Sequence, residues 1–324
     1  MKVLVTGGAG YIGSVIVEEL IRMGHDTTIY DSLDRGHADA VHPQATLVRG
    51  DVHDEARLAQ TLRDQRIDAV IHMAAFIEVG ESVRKPELYF YNNVVGSLHV
   101  IQAMITAGVK NLVFSSTAAL YGDPEKLPIS EEDVAAPTNP YGQSKYIVEQ
   151  MLRWVAPAHE MTITVLRYFN AAGATERNGE MHMPESHLIP IVLRAAETGA
   201  QLSINGTDYP TKDGTCVRDY IHVLDLAQAH LLALGRTNSG LKIYNVGNGS
   251  GYSIREVLDT VQRITGRTLN IVEGPRRPGD QAATVASSVK IREELQWQPR
   301  YPDLESILQS AWQWRVAHPN GYEK

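Results

Sequence analysis

Short apolar runs alternate with longer amphipathic stretches along the first half of the chain. The runs are rich in Val, Ile and Leu, which is typical of strands buried on both faces, and between them apolar residues recur at every third or fourth position. The predicted strands cover residues 2–6, 27–30, 45–48, 68–72, 111–115 and 162–166, and the predicted helices cover residues 11–23, 54–64, 87–107 and 141–157. This alternation predicts an α/β fold, in which a doubly wound parallel sheet carries helices on both faces.

Shorter elements, separated by loops rich in glycine, proline and charged residues, follow after about residue 170. Helical spacing marks residues 187–198 and 223–234. We therefore expect two domains. Residues 1–170 would form the main α/β domain, and residues 171–324 would form a smaller mixed α/β lobe, from which segments between about 220 and 250 return to the main domain.

Composition narrows the class of protein. The chain has 324 residues, of which 43% are hydrophobic, and a net charge of −8, so we expect an ordinary globular protein that binds no nucleic acid. It has a single cysteine, Cys216, which permits no intramolecular disulfide. Met1 leads directly into a short apolar run without a signal-peptide pattern, and no apolar stretch approaches the length of a membrane span. The expected location is the cytoplasm, away from the membrane.

A glycine-rich turn joins the first predicted strand to the first predicted helix. Gly7, Gly10 and Gly13 are spaced three residues apart, and Gly8 completes the alternative pattern Gly-x-Gly-x-x-Gly. Glycine permits the tight turn and lets backbone N–H groups approach a pyrophosphate, which the helix N-terminus further stabilises. The position of this turn, at the start of an alternating α/β pattern, predicts a dinucleotide-binding domain of the Rossmann type.

Two acidic residues follow later strands. Asp31 ends the second predicted strand, 18 residues after Gly13, where a carboxylate accepts hydrogen bonds from an adenosine ribose and repels a 2′-phosphate. The spacing favours NAD over NADP, although Asp31-Ser32 also resembles the opening of a turn. Asp51 and Val52 follow the third strand and suit an adenine edge, or else a helix N-cap.

A tyrosine and a lysine stand four residues apart near a predicted helix start. Tyr141 and Lys145 share one helical face, so that both side chains can reach one reacting centre. A nearby ammonium lowers the pKa of a phenol and would make Tyr141 a usable base. Taken alone, the same spacing also occurs in ordinary exposed pairs.

These motifs occur together with Met73-Ala74-Ala75 and Ser115-Ser116-Thr117, and in this order they resemble the extended short-chain dehydrogenase/reductase superfamily. Further segments resemble the UDP-glucose 4-epimerase family within it: Gly80–Val83, Tyr91–Val94, Asn139–Gly142, Leu166–Asn170, Asp213–Val223 and Arg276–Asp280. The resemblance spans residues 2 to about 315. Its most specific parts are Arg-Asp-Tyr-Ile-His-Val at 218–223 and Arg-Arg-Pro-Gly-Asp at 276–280.

The resemblance implies roles for individual residues. Tyr141 would be the catalytic base, Lys145 its partner, and Thr117 the hydroxyl that contacts the substrate oxygen, although a threonine also suits a strand end. The implied NAD contacts are Gly7, Gly10, Tyr11, Ile12, Gly13, Asp31, Ser32, Asp51, Val52, Met73, Ala74, Ala75, Asn93, Tyr141, Lys145 and Phe169. The implied UDP-sugar contacts are Thr117, Tyr141, Asn170, His187, Leu188, Asn205, Arg218, Arg277 and Asp280.

The activity implied by the family is NAD-dependent inversion of C4 of a UDP-hexose through a 4-keto sugar. A nucleotide-sugar 4,6-dehydratase is disfavoured, because Ala118-Ala119 stand where such enzymes have an Asp-Glu pair. A UDP-pentose 4-epimerase and a non-catalytic NAD-sensing regulator on the same fold remain alternatives. The resemblance also implies a homodimer formed through the helices at 87–107 and 141–157, whose apolar positions could equally belong to the core.

Three positions depart from the family pattern. Ile77 stands where some members carry a lysine, which removes one possible contact to a cofactor phosphate. His187 replaces a frequent asparagine, and Thr284 replaces a bulky aromatic residue beside the sugar, which would leave room for an N-acetyl group. No metal site is expected, since the twelve histidines are scattered. In particular, His182 and His187 are five residues apart with Pro184 between them, so they share no helical face.

Overall fold

Parallel strands form the centre of the protein. The computed structural model describes residues 1–277 and 279–322. Its strands are β1 (Lys2–Thr6), β2 (Asp26–Asp31), β3 (Thr46–Arg49), β4 (Ala69–His72), β5 (Asn111–Thr117), β6 (Thr162–Tyr168), β7 (Asn170–Ala172), β8 (Gln201–Asn205), β9 (Val217–His222), β10 (Gly240–Val246), β11 (Gly251–Ser253), β12 (Asn270–Gly274) and β13 (Ala283–Thr284).

Helices connect these strands. They are α1 (Tyr11–Arg22), α2 (Glu55–Asp64), α3 (Val79–Arg84), α4 (Pro86–Tyr89), α5 (Gly96–Ala107), α6 (Pro140–Ala158), α7 (Leu188–Thr198), α8 (Val223–Leu234), α9 (Ile254–Thr265), α10 (Val289–Leu295) and α11 (Leu304–Ala317). None of the helices in the described part of the chain is both long and apolar enough to cross a membrane.

The main sheet has seven strands in the order β10-β6-β5-β4-β1-β2-β3, and all neighbouring strands are parallel. The strand order reverses between β1 and β4, and in such sheets ligands bind in the crevice beyond the carboxyl ends of the strands at this switch point. The predicted doubly wound fold is confirmed. The β10 strand, from the second half of the chain, lies at the edge of this sheet beside β6.

Apolar side chains cover both faces of the main sheet. On one face, α1 and α8 pack through residues such as Val15, Leu20 and Leu226. On the other face, α2, α5 and α6 contribute residues such as Leu58 and Leu152. Burial on both faces explains why the strands read as continuous apolar runs instead of alternating patterns.

The remaining elements form a smaller unit. Strand β9 pairs with β7, β11 and β13, while β8 and β12 form a separate two-stranded sheet. Helices α7, α9 and α11 contribute to one apolar cluster, which includes Val192, Val257 and Ile307. Helix α9 begins with a capping box between Ser253 and Glu256. The boundary expected near residue 170 stays a prediction.

The helix predicted over residues 87–107 is confirmed, because the backbone is helical throughout this range, and the structure adds a π-helical turn within it. The structure has α4, a π-helical turn at Phe90–Val95 and then α5. Lys85 precedes a proline, and this position disfavours helical backbone, so the chain breaks between α3 and α4. The π-helical turn widens the helix and carries Asn93 inward.

Candidate active site

The glycine turn is built for close backbone approach. Gly7 has a φ of 70°, and a Cβ added to it would lie 2.7 Å from the backbone nitrogen of Ala74. A Cβ added to Gly13 would lie 2.1 Å from the carbonyl oxygen of Gly7. The turn therefore keeps α1 tight against β1 and leads into the α1 N-terminus, near Gly10, Tyr11 and Ile12. This cradle fits the pyrophosphate of a dinucleotide.

Asp31 lies directly beside the glycine turn. Its carboxylate accepts hydrogen bonds from Ala9 N at 3.0 Å and Leu33 N at 2.9 Å, and the side chain is buried. Burial raises the pKa of Asp31, although both backbone hydrogen bonds oppose this effect. Ser32 follows, and its carbonyl accepts from Arg49 Nε at 3.2 Å. The carboxylate stands where it can accept from a ribose.

We expect Asp31→Asn to weaken NAD binding by about 10- to 150-fold, because hydrogen bonds to a charged group contribute about 1.5–3 kcal/mol. Isothermal titration of the purified variant with NAD measures the change. Asp34→Asn, at an exposed position in the same loop, is the matched control and should bind like the unaltered protein. Equal NAD affinities for the two variants would contradict the assignment of a ribose contact to Asp31.

The remaining predicted cofactor residues line the same edge of the sheet. Asp51 accepts from His53 N and Nδ1, and these hydrogen bonds outweigh burial and hold the pKa of Asp51 below its ordinary value. Val52 is buried against Gly96. Met73, Ala74 and Ala75 follow β4, directly beside the glycine turn.

The side chain of Asn93 makes hydrogen bonds within the protein. Its amide accepts from Phe76 N at 2.8 Å and donates to Phe76 O and Ser144 Oγ, both at 3.0 Å, and the residue is 1% exposed. It thus fastens the segment after β4 to α6. A direct contact from Asn93 to NAD stays a prediction, whereas its positioning contacts are visible in the structure.

Tyr141 and Thr117 come together at the end of β5. Asn139 caps α6, with its side chain accepting from Gly142 N, and this cap places Tyr141 in the first turn of the helix. Burial raises the pKa of the Tyr141 phenol, and the Thr117 hydroxyl beside it opposes this rise. The predicted lowering of that pKa by Lys145 is therefore wrong for the protein without bound cofactor.

Lys145 is fully enclosed one helical turn further on. Its Nζ donates to Ser115 O at 2.8 Å and lies 5.0 Å from the centre of the Phe114 ring. Burial lowers the pKa of Lys145 to about 7, although the charge of Glu149 opposes this shift. Lys145 is not among the groups that shift the pKa of Tyr141.

Glu149 continues the same helical face, and sequence reasoning missed it. Its carboxylate accepts from Arg167 Nε at 3.0 Å, Arg167 Nη2 at 2.6 Å and Ser116 Oγ at 2.5 Å. Glu149 and Arg167 are 0% and 2% exposed. The spacing Tyr141, Lys145, Glu149 is the signal that was available, because positions four apart share one face.

Aromatic residues from the end of β6 complete this region. Tyr168 hydrogen-bonds His230 Nε2 and approaches Met73 Sδ at 3.5 Å. His230 Nδ1 contacts Leu226 O at 2.8 Å, so this nitrogen donates and Nε2 accepts from the phenol. The predicted cofactor residue Phe169 is buried in a separate apolar cluster with Leu120 and Tyr121.

Charged side chains gather at the predicted nucleotide end of the substrate site. Asp280 Oδ1 accepts from Arg277 Nη2 at 2.8 Å and lies 3.9 Å from Arg218 Nη2. Asn170 donates to Asp219 O at 2.9 Å, next to Arg218 on β9. Asn205 ends β8, where it is paired in register with Gly274. The structure thus brings Arg218, Arg277 and Asp280 together.

His187 and Leu188 stand at the start of α7, and the loop before them holds an unexpected cluster. The rings of His182 and His187 lie 5.1 Å apart, and Glu180 and Glu185 are beside both. As expected, these histidines share no helical face, but the loop brings their rings together, which their spacing did not predict. A helical spacing argument could not detect this arrangement.

Comparisons with known proteins agree with this geometry. The NAD dependent epimerase/dehydratase family matches residues 3–247. A protein of Streptomyces lividans named UDP-glucose 4-epimerase is 48% identical over 326 residues, covering 99% of this chain and 98% of its own. The protein of the same name from Lactobacillus helveticus is 47% identical over 329 residues, covering 100% and 99% of the two chains.

A solved structure extends the likeness to three dimensions. UDP-glucose 4-epimerase from Bifidobacterium longum, determined in complex with NAD+ and UDP, is 38% identical, has a TM-score of 0.95 and matches 99% of this chain and 100% of its own. The glycine turn, the strand order and the Tyr141–Lys145 helix occur in a chain that matches such proteins along its whole length. The chain therefore belongs to the NAD dependent epimerase/dehydratase family.

Proposed function

We propose that this protein is a UDP-glucose 4-epimerase, which binds NAD and a UDP-hexose and inverts the hydroxyl group at C4. One observation carries the proposal: Tyr141 and Thr117 lie side by side at the carboxyl edge of the sheet, the same edge that carries the glycine turn. This arrangement supports the assignment of Tyr141 as a proton acceptor beside a dinucleotide. The names of relatives that match the entire chain support the same activity.

The chemistry follows from the side chains present. When held by the glycine turn and Asp31, NAD would supply a two-electron oxidant for C4 and, in its reduced form, the matching reductant. Tyr141 removes the C4 hydroxyl proton and afterwards returns it to the new face of the sugar, while Thr117 hydrogen-bonds the same oxygen. Arg218 and Arg277 neutralise the diphosphate. Because the nucleotide provides most of the binding free energy, the 4-keto sugar is held loosely and can rotate to present its opposite face.

The side chains present do not fit the two alternative functions, a dehydratase and an NAD-sensing regulator. Ala118 and Ala119 form a short 3₁₀ turn after Thr117 and supply no acid or base for the elimination of water by a dehydratase. An NAD-sensing regulator would need neither Tyr141 nor the arginines that flank Asp280. For these reasons we place the protein among the epimerases, and we propose the cytoplasm as its location.

A panel of UDP-sugars tests the activity directly. We expect UDP-glucose to be converted to UDP-galactose, and the reverse, until both approach equilibrium, with no net consumption of NAD. Chromatographic separation of the products measures this. Tight NAD binding without conversion of any panel member would favour the regulator, and a 4-keto-6-deoxy product would favour the dehydratase.

The same panel addresses the hexose 2-substituent. Thr284 lies on β13, paired in register with Arg218, and is half-buried. A side chain of this size leaves space beside the sugar, so we propose that UDP-N-acetylglucosamine is also a substrate. Its kcat/KM should lie within about 200-fold of the value for UDP-glucose, since a small difference in a pocket changes discrimination by about 1–3 kcal/mol at most. A UDP-pentose pair completes the panel.

We further propose that the protein forms a homodimer through α5 and α6. Leu98 and Ile105 on α5 are 38% and 36% exposed, and Trp154 on α6 is 80% exposed. Apolar residues of this size on two neighbouring helices are typical of an interface. Sedimentation equilibrium should give twice the mass of the chain for the unaltered protein, and Trp154→Arg should shift it towards the monomer.

A further inference from the structure

The loop before α7 gathers four potential metal ligands. Glu180, His182, Glu185 and His187 each offer one ligand atom, and these atoms all lie within 4.8 Å of one another. We propose that they form a binding site for one divalent cation, with a preference for zinc, which fixes the loop that presents His187 and Leu188. This proposal does not depend on the assigned activity.

The distances between the ligand atoms suit a tetrahedral ion. Zinc bonds of about 2.0–2.1 Å place neighbouring ligands about 3.3 Å apart in a tetrahedron. His182 Nδ1 lies 3.5 Å from Glu180 Oε1 and 3.8 Å from Glu185 Oε2. His187 Nδ1 lies 2.6 Å from Glu180 Oε1 and 3.8 Å from Glu185 Oε1. Shifts of well under an ångström for most of these atoms would complete the site.

An unpartnered nitrogen points into the cluster. His182 Nδ1 is fully buried and makes no hydrogen bond to any described residue. Glu180 next to it is 9% exposed at its side chain, so little water reaches the pair. A buried imidazole nitrogen without a hydrogen bond is costly, and a cation between His182 and the two glutamates, whose oxygens lie 3.5 and 3.8 Å away, would satisfy it.

The loop is held in shape by contacts outside the ligand atoms. Glu185 accepts from the backbone N–H groups of His182, Ser186 and His187, at 3.2, 2.9 and 2.9 Å. Ser186 Oγ donates to Glu78 at 2.5 Å, and His37 Nε2 contacts Met181 O at 3.0 Å. These bonds tie the loop to the main domain. A pre-formed site spends little binding free energy on ordering its ligands.

Charge and ligand type favour zinc over magnesium or calcium. Two glutamates and two neutral imidazoles balance a divalent cation completely. Imidazole nitrogen suits zinc and related transition metals, whereas magnesium and calcium prefer all-oxygen sites. The competing interpretation is an ion-pair cluster, because the carboxylates outweigh burial and raise the pKa values of both histidines. Direct metal titration separates the two interpretations.

The experiment titrates the untagged, chelator-treated full chain with Co²⁺ and with Zn²⁺. Cobalt in a tetrahedral nitrogen and oxygen site gives visible d–d absorption, which should saturate at one equivalent per chain, and excess zinc should abolish it. We expect His182→Ala and Glu180→Gln each to weaken binding at least about 100-fold, beyond the roughly 10- to 100-fold typical of changes around the ligands. The exposed His159→Ala variant should bind like the unaltered protein.

Folding is checked independently, because a disturbed loop could mimic a lost ligand. Circular dichroism and NAD affinity of Glu180→Gln should match the unaltered protein, since glutamine preserves the shape of the side chain. The proposal is overturned if the unaltered chain shows no saturable cobalt spectrum, or if Glu180→Gln and His182→Ala bind cobalt as tightly as His159→Ala does. In either case the cluster is an ion-pair network only.

Discussion

Replacing Tyr141 by phenylalanine should lower kcat for C4 inversion by about 10²–10⁴-fold, the usual contribution of a positioned acid or base. The variant loses one oxygen atom and keeps the aromatic ring, so packing around it should be preserved. NAD binding should change little, because the glycine turn and Asp31 remain in place. The loss should appear in kcat and kcat/KM alike, as expected for an interaction made in the transition state.

The measurement compares product formation from UDP-glucose with NAD affinity on the same preparation. Tyr146→Phe is the matched control, since Tyr146 lies on the same helix and packs against the cluster around Leu120. It should retain near-full activity. Near-normal epimerisation by Tyr141→Phe would instead show that Tyr141 is not the base and that another group removes the proton.

Burial of the Tyr141 phenol opposes its ionisation, so other groups must lower its pKa before it can act as a base. Without bound cofactor, the pKa of Tyr141 is raised by burial, and Lys145 holds the carbonyl of Ser115. The Thr117 hydroxyl opposes this rise, and the cationic nicotinamide ring of NAD+, if held beside the phenol, would lower its pKa further. Sequence spacing identified Tyr141 and Lys145 as a pair. The direction in which the pKa of Tyr141 shifts depends on burial, which spacing does not reveal.

Local patterns predicted the main domain well, because its elements are local. The turn at Gly7 to Gly13 is dictated by backbone geometry within seven residues, and strands buried on both faces leave continuous apolar runs in the sequence. By contrast, the π-helical turn around Asn93 has no periodicity that separates it from an α-helix.

Contacts that depend on irregular backbone could not be predicted in the same way. His182 and His187 meet because the carboxylate of Glu185 gathers backbone N–H groups around it. Arg167 and Glu149 meet across two different elements, 18 residues apart in the sequence. Pairing between β10 and β6 joins residues still further apart in the sequence, such as Gly240 and Thr162. In each case the fold determines which residues meet, and no local sequence pattern predicts the contact.

Removing the charge of Glu149 should destabilise the protein by about 3–5 kcal/mol, because Arg167 would remain buried without its counter-ion. Arg167 keeps one contact in such a variant, from Nη1 to Tyr121 Oη at 2.7 Å. Urea unfolding of Glu149→Gln measures the free energy of unfolding. The control is Glu160→Gln, which breaks the exposed pair with Lys110 and should change stability by about 1 kcal/mol or less.

The double variant Glu149→Leu with Arg167→Met separates stability from catalysis. It removes both charges, and replacement of a buried pair by apolar groups is often neutral, so most of the lost stability should return. Glu149 raises the pKa of Lys145 against the effect of burial, so this pKa should fall below about 7 in the double variant without cofactor. The cationic form is then lost at a lower pH, and the basic limb of kcat/KM should move in that direction. A basic limb that stays in place while stability is restored would show that the charge of Glu149 does not tune Lys145.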